Sequence, residues 1–112
     1  MASKATNHFV MQRLTAMLQV PLVIWLTVSA LGHARDDHAA FMGWIASPLP
    51  AILLIVFMLS VAYHARLGLG EVADDYVHKD GANRASQGLI QAYTALLAVI
   101  AIASVIIITL RA

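Results

Sequence analysis

The sequence predicts an all-α membrane protein with three transmembrane helices. Hydrophobic residues make up 61% of the 112 residues and charged residues only 12%, whereas soluble domains contain roughly 45–50% and about 25%. A soluble domain of this length could not bury so much apolar surface in its own core. In addition, residues 14–34, 38–65 and 85–110 carry no formal charge. We therefore expect lipid to cover most of the apolar surface.

The first uncharged stretch contains a predicted span over residues 14–32. About 20 apolar residues at ~1.5 Å per residue cross a hydrocarbon layer of ~30 Å, so the segment is long enough. Pro21 lies inside it and should bend the helix, which membrane helices tolerate. The segment ends in Val28-Ser29-Ala30, as a cleavable signal peptide can. Its apolar core exceeds the ~7–15 residues usual for such signals, so we expect the helix to be retained.

The other two spans are predicted over residues 48–69 and 88–110. Pro48 and Pro50 stand at the entrance of the second span, where a missing amide donor costs least. A polar turn is expected over residues 80–87. In the third span small residues recur every three or four positions, which gives a face that another helix can approach closely. These residues are Gly88, Ala92, Ala95 and Ala98.

The positive charges predict the orientation of the chain. Five of the seven Lys and Arg residues lie before the first span or between the second and third spans, and two lie elsewhere: Lys4, Arg13, Arg66, Lys79 and Arg84 against Arg35 and Arg111. Cytoplasmic segments carry the excess of positive charge. The N-terminus is therefore expected in the cytoplasm and the C-terminus in the periplasm. The segment before the first span is too short for a transit peptide, so we expect a bacterial inner membrane.

Composition also excludes several classes of function. The chain has no cysteine, which excludes thiolate metal sites and covalent heme attachment. Its basic residues form no run or patch, so no nucleic-acid partner is expected. The spans contain no acidic residue, whereas a proton-coupled multidrug transporter needs one inside the membrane.

Chemically informative residues are concentrated between positions 63 and 78. His64 lies about one turn inside the end of the second span, and ionisable side chains at that depth usually face the protein interior. Neutral imidazole readily binds heme iron, although an interfacial histidine bonded to a carbonyl would look the same. Gly68 is on the same helical face, where a missing side chain leaves room for a macrocycle. Asp75 aligns with His64 after three turns if the helix continues.

Tyr76 follows Asp75 at the expected membrane boundary. A phenol beside a carboxylate can donate a hydrogen bond to a quinone carbonyl. The alternatives are an aromatic-belt role for Tyr76 and a solvated loop carboxylate for Asp75. These residues alone do not decide between the readings.

Two motifs together resemble a known family. The string His64-x-Arg66-x-Gly68 with Asp75-Tyr76-Val77-His78, and Gln12-Arg13-Leu14-Thr15-Ala16 at the first span, are similar to the hydrophobic membrane anchor subunit of succinate dehydrogenase, the smaller anchor chain of respiratory complex II, in its alphaproteobacterial form. The resemblance implies a single membrane-anchor domain over residues 1–112, packed in a heteromeric helix bundle.

The resemblance also implies roles for individual residues. His64 would be an axial ligand of the iron of heme b, with the second ligand on the larger cytochrome b anchor subunit. Tyr76 would bind ubiquinone, with Asp75 in the same region. Arg13 would lie near a heme propionate or the quinone, or act only as a positive-inside anchor. A role for His8 is not carried over, because its register against the family is uncertain.

The function that follows is electron transfer without substrate chemistry in this chain. As a non-catalytic subunit it would dock the flavoprotein and iron–sulfur subunits, so that electrons pass from succinate to ubiquinone. Two alternatives remain: a fumarate reductase anchor and a cofactor-free membrane scaffold.

Overall fold

The computed structural model describes residues 3–111, and its regular elements are four α-helices. They are α1 (Lys4–Gly32), α2 (His38–Ala46), α3 (Pro48–Tyr76) and α4 (Asp80–Arg111). Of these, α1, α3 and α4 are long and apolar enough to cross a membrane. Each contains one of the predicted spans, which confirms the all-α, three-span prediction.

Both α1 and α3 begin with residues that suit a helix N-terminus. The Ser3 hydroxyl accepts a hydrogen bond from the Thr6 amide at 3.1 Å at the start of α1, and α1 continues through Pro21. Ser47 precedes α3, and Pro48 occupies the first helical position, as predicted. Proline fits there because the first amides of a helix have no intrahelical acceptor. Since α3 is unbroken to Tyr76, His64 and Asp75 belong to one continuous helix.

The expected polar turn over residues 80–87 is wrong, because α4 begins at Asp80 and only residues 77–79 connect it to α3. The polar side chains in its first turns hold the two helices together. Asn83 Nδ2 donates to the Val77 carbonyl at 3.0 Å, and Gln87 Nε2 donates to the Gly70 carbonyl at 2.9 Å. A Cβ at Gly70 would lie 3.0 Å from Gln87 Oε1, so the glycine gives Gln87 space to reach the backbone.

The short helix α2 was not predicted from the sequence. Its first amides are capped by Asp37, which accepts a hydrogen bond from the Ala40 amide at 2.8 Å. Trp44 stacks on His33 with ring centroids 4.6 Å apart and also packs near Trp25 at 6.3 Å. With nine residues, α2 is too short to cross a membrane. It instead covers the ends of α3 and α4.

The central element is α3. It packs antiparallel to α1 on one side and to α4 on the other, and within residues 3–111 α1 and α4 do not approach each other closely. The buried apolar cluster consists of Ala51, Leu54 and Val105, next to Trp25 and Ile45. Most large apolar side chains of α1 and α4 are exposed, as expected of helices that face lipid or another chain.

The small-residue face of α4 is mostly exposed, although Ala95 and Ala98 line a groove with residues of α3. Ala98 is half-buried, whereas Gly88, Ala92 and Ala95 are exposed, and a Cβ at Gly88 would meet nothing within 4 Å. The α4 side of the α3–α4 interface is made instead by larger residues such as Gln87, Thr94 and Val105. Close approach of another helix to the small-residue face stays a prediction.

Candidate functional site

His64 lies at the interface between α1 and α3, half-buried. Its Nδ1 is 2.9 Å from the Oγ1 atom of Thr15 on α1. Thr15 is only 8% exposed, and its Oγ1 is also 2.8 Å from the Met11 carbonyl oxygen one turn earlier. The histidine that the sequence selects is therefore bound to a buried hydroxyl on the neighbouring helix.

Further polar contacts join α1 and α3 near the Thr15–His64 contact. Gln19 Nε2 is 3.3 Å from Ser60 Oγ, and Ser60 Oγ donates to the Thr15 carbonyl at 3.2 Å. Toward the other end, Gln12 Nε2 lies 3.6 Å from the place where a Gly68 Cβ would stand. The Gln12 side chain therefore lies at ordinary contact distance from Gly68, and room for a macrocycle there stays a prediction.

The sequence patterns indicated no individual role for the residues that make these contacts. Gln12, Thr15 and Gln19 recur at intervals of three and four positions in α1, which places them on one helical face. A polar stripe in an otherwise apolar span is the signal that could have identified them. It indicates a helix interface, because lipid offers no hydrogen-bonding partner.

His64 also lines a groove of about 370 Å³. The other lining residues belong to one face of α1: Ala16, Gln19, Val20, Val23 and Ile24. Apart from Gln19, whose amide is bonded to Ser60, these side chains are apolar. Because Nδ1 is occupied by Thr15, Nε2 is the ring nitrogen that remains for another ligand.

Arg13 lines a different cavity, a cleft of about 650 Å³ at the end of the molecule where α1 begins and α3 ends. Its guanidinium carbon lies 5.6 Å from the centre of the Phe9 ring. His8 and Glu71 line the same cleft, with His8 Nε2 2.7 Å from Glu71 Oε1. That contact has the distance of an ion pair but not the geometry of a hydrogen bond. His8 therefore links α1 to α3.

Asp75 and Tyr76 lie in the last turn of α3 and are exposed, Tyr76 to 80%. At ~1.5 Å per residue, Tyr76 is about 18 Å along the helix from His64. The neighbouring Asp74, for which the sequence indicated no role, accepts hydrogen bonds from two side chains of α4. Its Oδ1 is 3.1 Å from both Asn83 Nδ2 and Gln87 Nε2.

Metal binding by this chain alone is not supported by its side-chain clusters. Within residues 3–111, no three His, Asp or Glu side chains are grouped closely enough to hold a metal ion. A metal at His64 would need its other ligands from a macrocycle or from another chain.

Comparison with known proteins identifies the family. The family model described as succinate dehydrogenase/fumarate reductase transmembrane subunit matches residues 1–109. The chain belongs to this family.

Relatives of this transmembrane-subunit family are found among Rickettsia proteins named succinate dehydrogenase hydrophobic membrane anchor subunit. The protein of Rickettsia bellii is 29% identical over 76 residues, which cover 68% of this chain and 61% of the relative. The proteins of Rickettsia conorii and Rickettsia felis are 27% and 28% identical over 77 and 75 residues, covering 68% and 67% of this chain. The chain thus matches only 61–62% of the length of these relatives.

Family membership and the three membrane-capable helices agree on the class of protein. The chain is a multi-pass bacterial membrane protein with the role of a membrane anchor. The matched region spans all four helices, including His64, Thr15 and the Asp75–Tyr76 pair.

Proposed function

We propose that this chain is the smaller anchor subunit of a succinate:ubiquinone oxidoreductase in a bacterial inner membrane. It would do no chemistry on succinate itself. Together with the larger cytochrome b anchor subunit it would hold heme b, and it would dock the flavoprotein and iron–sulfur subunits. The observation that carries the proposal is His64, an imidazole held by a buried hydroxyl beside an apolar groove.

The residues around His64 fit one edge of a heme. The groove presents alanine, valine and isoleucine side chains, which suit the apolar face of a macrocycle, and one nitrogen of the imidazole is free to bind iron. Among residues 3–111, the groove is lined by one such ligand, His64, and by residues of α1. A second anchor chain would therefore complete the site. When bound, the heme supplies a one-electron carrier.

The end of α3 fits a role in binding the quinone. Tyr76 is 80% exposed in the last turn of α3, where its hydroxyl can donate a hydrogen bond to a ubiquinone carbonyl. Asp75 beside it would support the proton supply from the cytoplasmic side. Arg13 lies at the same end of the molecule, and its positive charge suits a heme propionate or the quinone region.

The decisive experiment replaces His64 with alanine in the complex expressed with its partner subunits. We expect the purified complex to lose most of its heme b, measured by the pyridine hemochrome spectrum per flavin. His78→Ala is the matched control, because His78 lies exposed in the connection between α3 and α4. Unchanged heme content in His64→Ala would remove His64 as the ligand.

A fumarate reductase anchor is the second candidate, because the matched family includes transmembrane subunits of both enzymes. The direction of electron flow depends on the partner subunits and on the quinone potential. Rates of succinate oxidation with ubiquinone and of fumarate reduction with a low-potential quinol, measured on one preparation, separate the two. Faster fumarate reduction would favour the second candidate.

A further inference from the structure

We infer that Thr15 is a positioning residue that fixes His64 in the tautomer with a proton on Nδ1, which leaves Nε2 as the iron-binding nitrogen. The inference deepens the proposed function and rests on the heme site proposed there. It concerns a residue on α1, whereas the ligand itself lies on α3.

The hydrogen count at Thr15 favours this tautomer. A threonine hydroxyl has one proton and two lone pairs. Its Oγ1 lies 2.8 Å from the Met11 carbonyl oxygen and 3.0 Å from the Gln12 carbonyl oxygen, and carbonyls can only accept. If the hydroxyl proton goes to these carbonyls, the 2.9 Å contact with His64 requires a proton on Nδ1. The contact between Thr15 and Met11 and the contact between Thr15 and His64 then each contain one hydrogen atom.

The opposite tautomer leaves one short contact without a proton and one ring N–H without an acceptor. Thr15 would have to donate to His64, so the 2.8 Å contact with Met11 would bring two oxygens together without a proton. The proton on Nε2 would face a groove whose side chains are apolar, except for Gln19. The Gln19 amide reaches Ser60 through its Nε2 donor, and among residues 3–111 the side-chain hydrogen bond of His64 is the one to Thr15, with none to the Gln19 oxygen. A donor left without an acceptor in apolar surroundings destabilises that tautomer.

The surrounding packing holds the Thr15 hydroxyl in place. The side chain is β-branched and therefore restricted at its first torsion, and it is 8% exposed. The Thr15 carbonyl accepts a hydrogen bond from Ser60, one turn before His64 on α3. Two contacts between the same pair of helices thus fix the hydroxyl relative to the imidazole.

A hydrogen bond from the second nitrogen orients a metal-bound imidazole and makes it more basic. A more basic ligand favours oxidised over reduced iron. Removing the Thr15 hydroxyl should therefore weaken heme binding and raise the midpoint potential of the heme. Loss of such an outer partner typically lowers metal affinity by roughly 10–100-fold.

The test compares Thr15→Val and Thr15→Ser in the assembled complex. Valine keeps the shape and deletes the hydroxyl, so we expect roughly 10–100-fold faster heme transfer to apomyoglobin, a higher potential and altered g-values of the oxidised heme. Serine keeps the hydroxyl and should restore wild-type values. Valine values equal to wild type would overturn the inference.

Thr94→Val is the matched control. Thr94 is 4% exposed, and its hydroxyl donates to the Ile90 carbonyl one turn earlier at 2.8 Å, as Thr15 does toward Met11. It lies on α4, away from His64. If Thr15→Val and Thr94→Val change the heme measurements equally, the cause is the general loss of a buried hydroxyl. That result would count against the inference.

A second measurement does not depend on assembly of a variant. Magnetic resonance of the wild-type complex with isotope-labelled histidine should show an exchange-protected proton on Nδ1 of His64. A proton on Nε2 would overturn the inference. Heme retained in His64→Ala would instead refute the proposed heme site, so the two failures are distinguishable.

Discussion

Polar side chains within the membrane-spanning helices follow two different patterns. On α4, the hydroxyls of Thr94, Ser104 and Thr109 donate to carbonyls of their own helix, which satisfies them without a neighbour. At the α1–α3 interface, Thr15 contacts His64 and Gln19 contacts Ser60 across the two helices. At this interface the contact from Thr15 positions the His64 imidazole.

At the same scale, the quinone role of Tyr76 predicts the effect of Tyr76→Phe. The change deletes one hydroxyl and keeps the ring, so loss of a single hydrogen bond should lower kcat/KM for ubiquinone by roughly 2–10-fold. Heme content should stay at the wild-type level. Tyr93→Phe, an exposed tyrosine within α4, is the control. A normal ubiquinone rate in Tyr76→Phe would refute the assignment.

Helix α3 contains both the candidate heme ligand and the candidate quinone-binding residue. Because the helix is continuous from Pro48 to Tyr76, the distance between His64 and Tyr76 is fixed by helix geometry. Its far end is fastened to α4 through Asp74, Asn83 and Gln87. The helix with these candidate residues is thus packed between α1 and α4 along its length and hydrogen-bonded to α4 at its end.

The fastening at Asp74 predicts a stability effect. Asp74→Ala removes the acceptor of two hydrogen bonds, and because this carboxylate is exposed we expect a loss of about 0.5–1.5 kcal/mol. Thermal unfolding of the purified complex should show a lower Tm. Asp75→Ala, at the adjacent exposed carboxylate, should leave Tm unchanged. Equal Tm values for the two variants would contradict the role of Asp74.

At the scale of the whole molecule, the three long helices form an open arrangement rather than a closed bundle. The outer faces of α1 and α4 carry large exposed apolar residues, such as Met17, Val20, Leu96 and Val99. Lipid can cover these faces, and a second anchor chain can replace lipid along the groove at His64. The arrangement therefore suits a subunit of a larger complex.

The distribution of Lys and Arg predicts the topology of the whole chain. Reporter fusions should place the N-terminus and the connection at residues 77–79 in the cytoplasm, and the C-terminus in the periplasm. Alkaline phosphatase fused after the last residue should be active, and the same enzyme inserted at the connection should be inactive. The reverse pattern would refute the orientation and would put Tyr76 on the wrong side for cytoplasmic partner subunits.

The sequence predicted the three long helices but neither the short helix α2 nor the start of α4. The uncharged stretches and Pro48 predicted the spans, because the free energy of placing a segment in lipid depends on its own residues. The predicted turn over residues 80–87 was wrong. Polar residues such as Asn83 and Gln87 are typical of turns, and the sequence does not reveal their hydrogen-bond partners on α3. For α2, apolar content alone could not distinguish a short covering helix from an extension of a span.

The sequence by itself determined that the chain is a three-span membrane protein and that His64 is its candidate ligand. Only the tertiary structure decided which residue holds that imidazole, and it placed the Gln12 side chain beside Gly68. The physical reason is that hydropathy and charge act along the chain, residue by residue. Contacts such as Thr15–His64 depend on how two helices are rotated and shifted against each other, and that relation exists only after they pack.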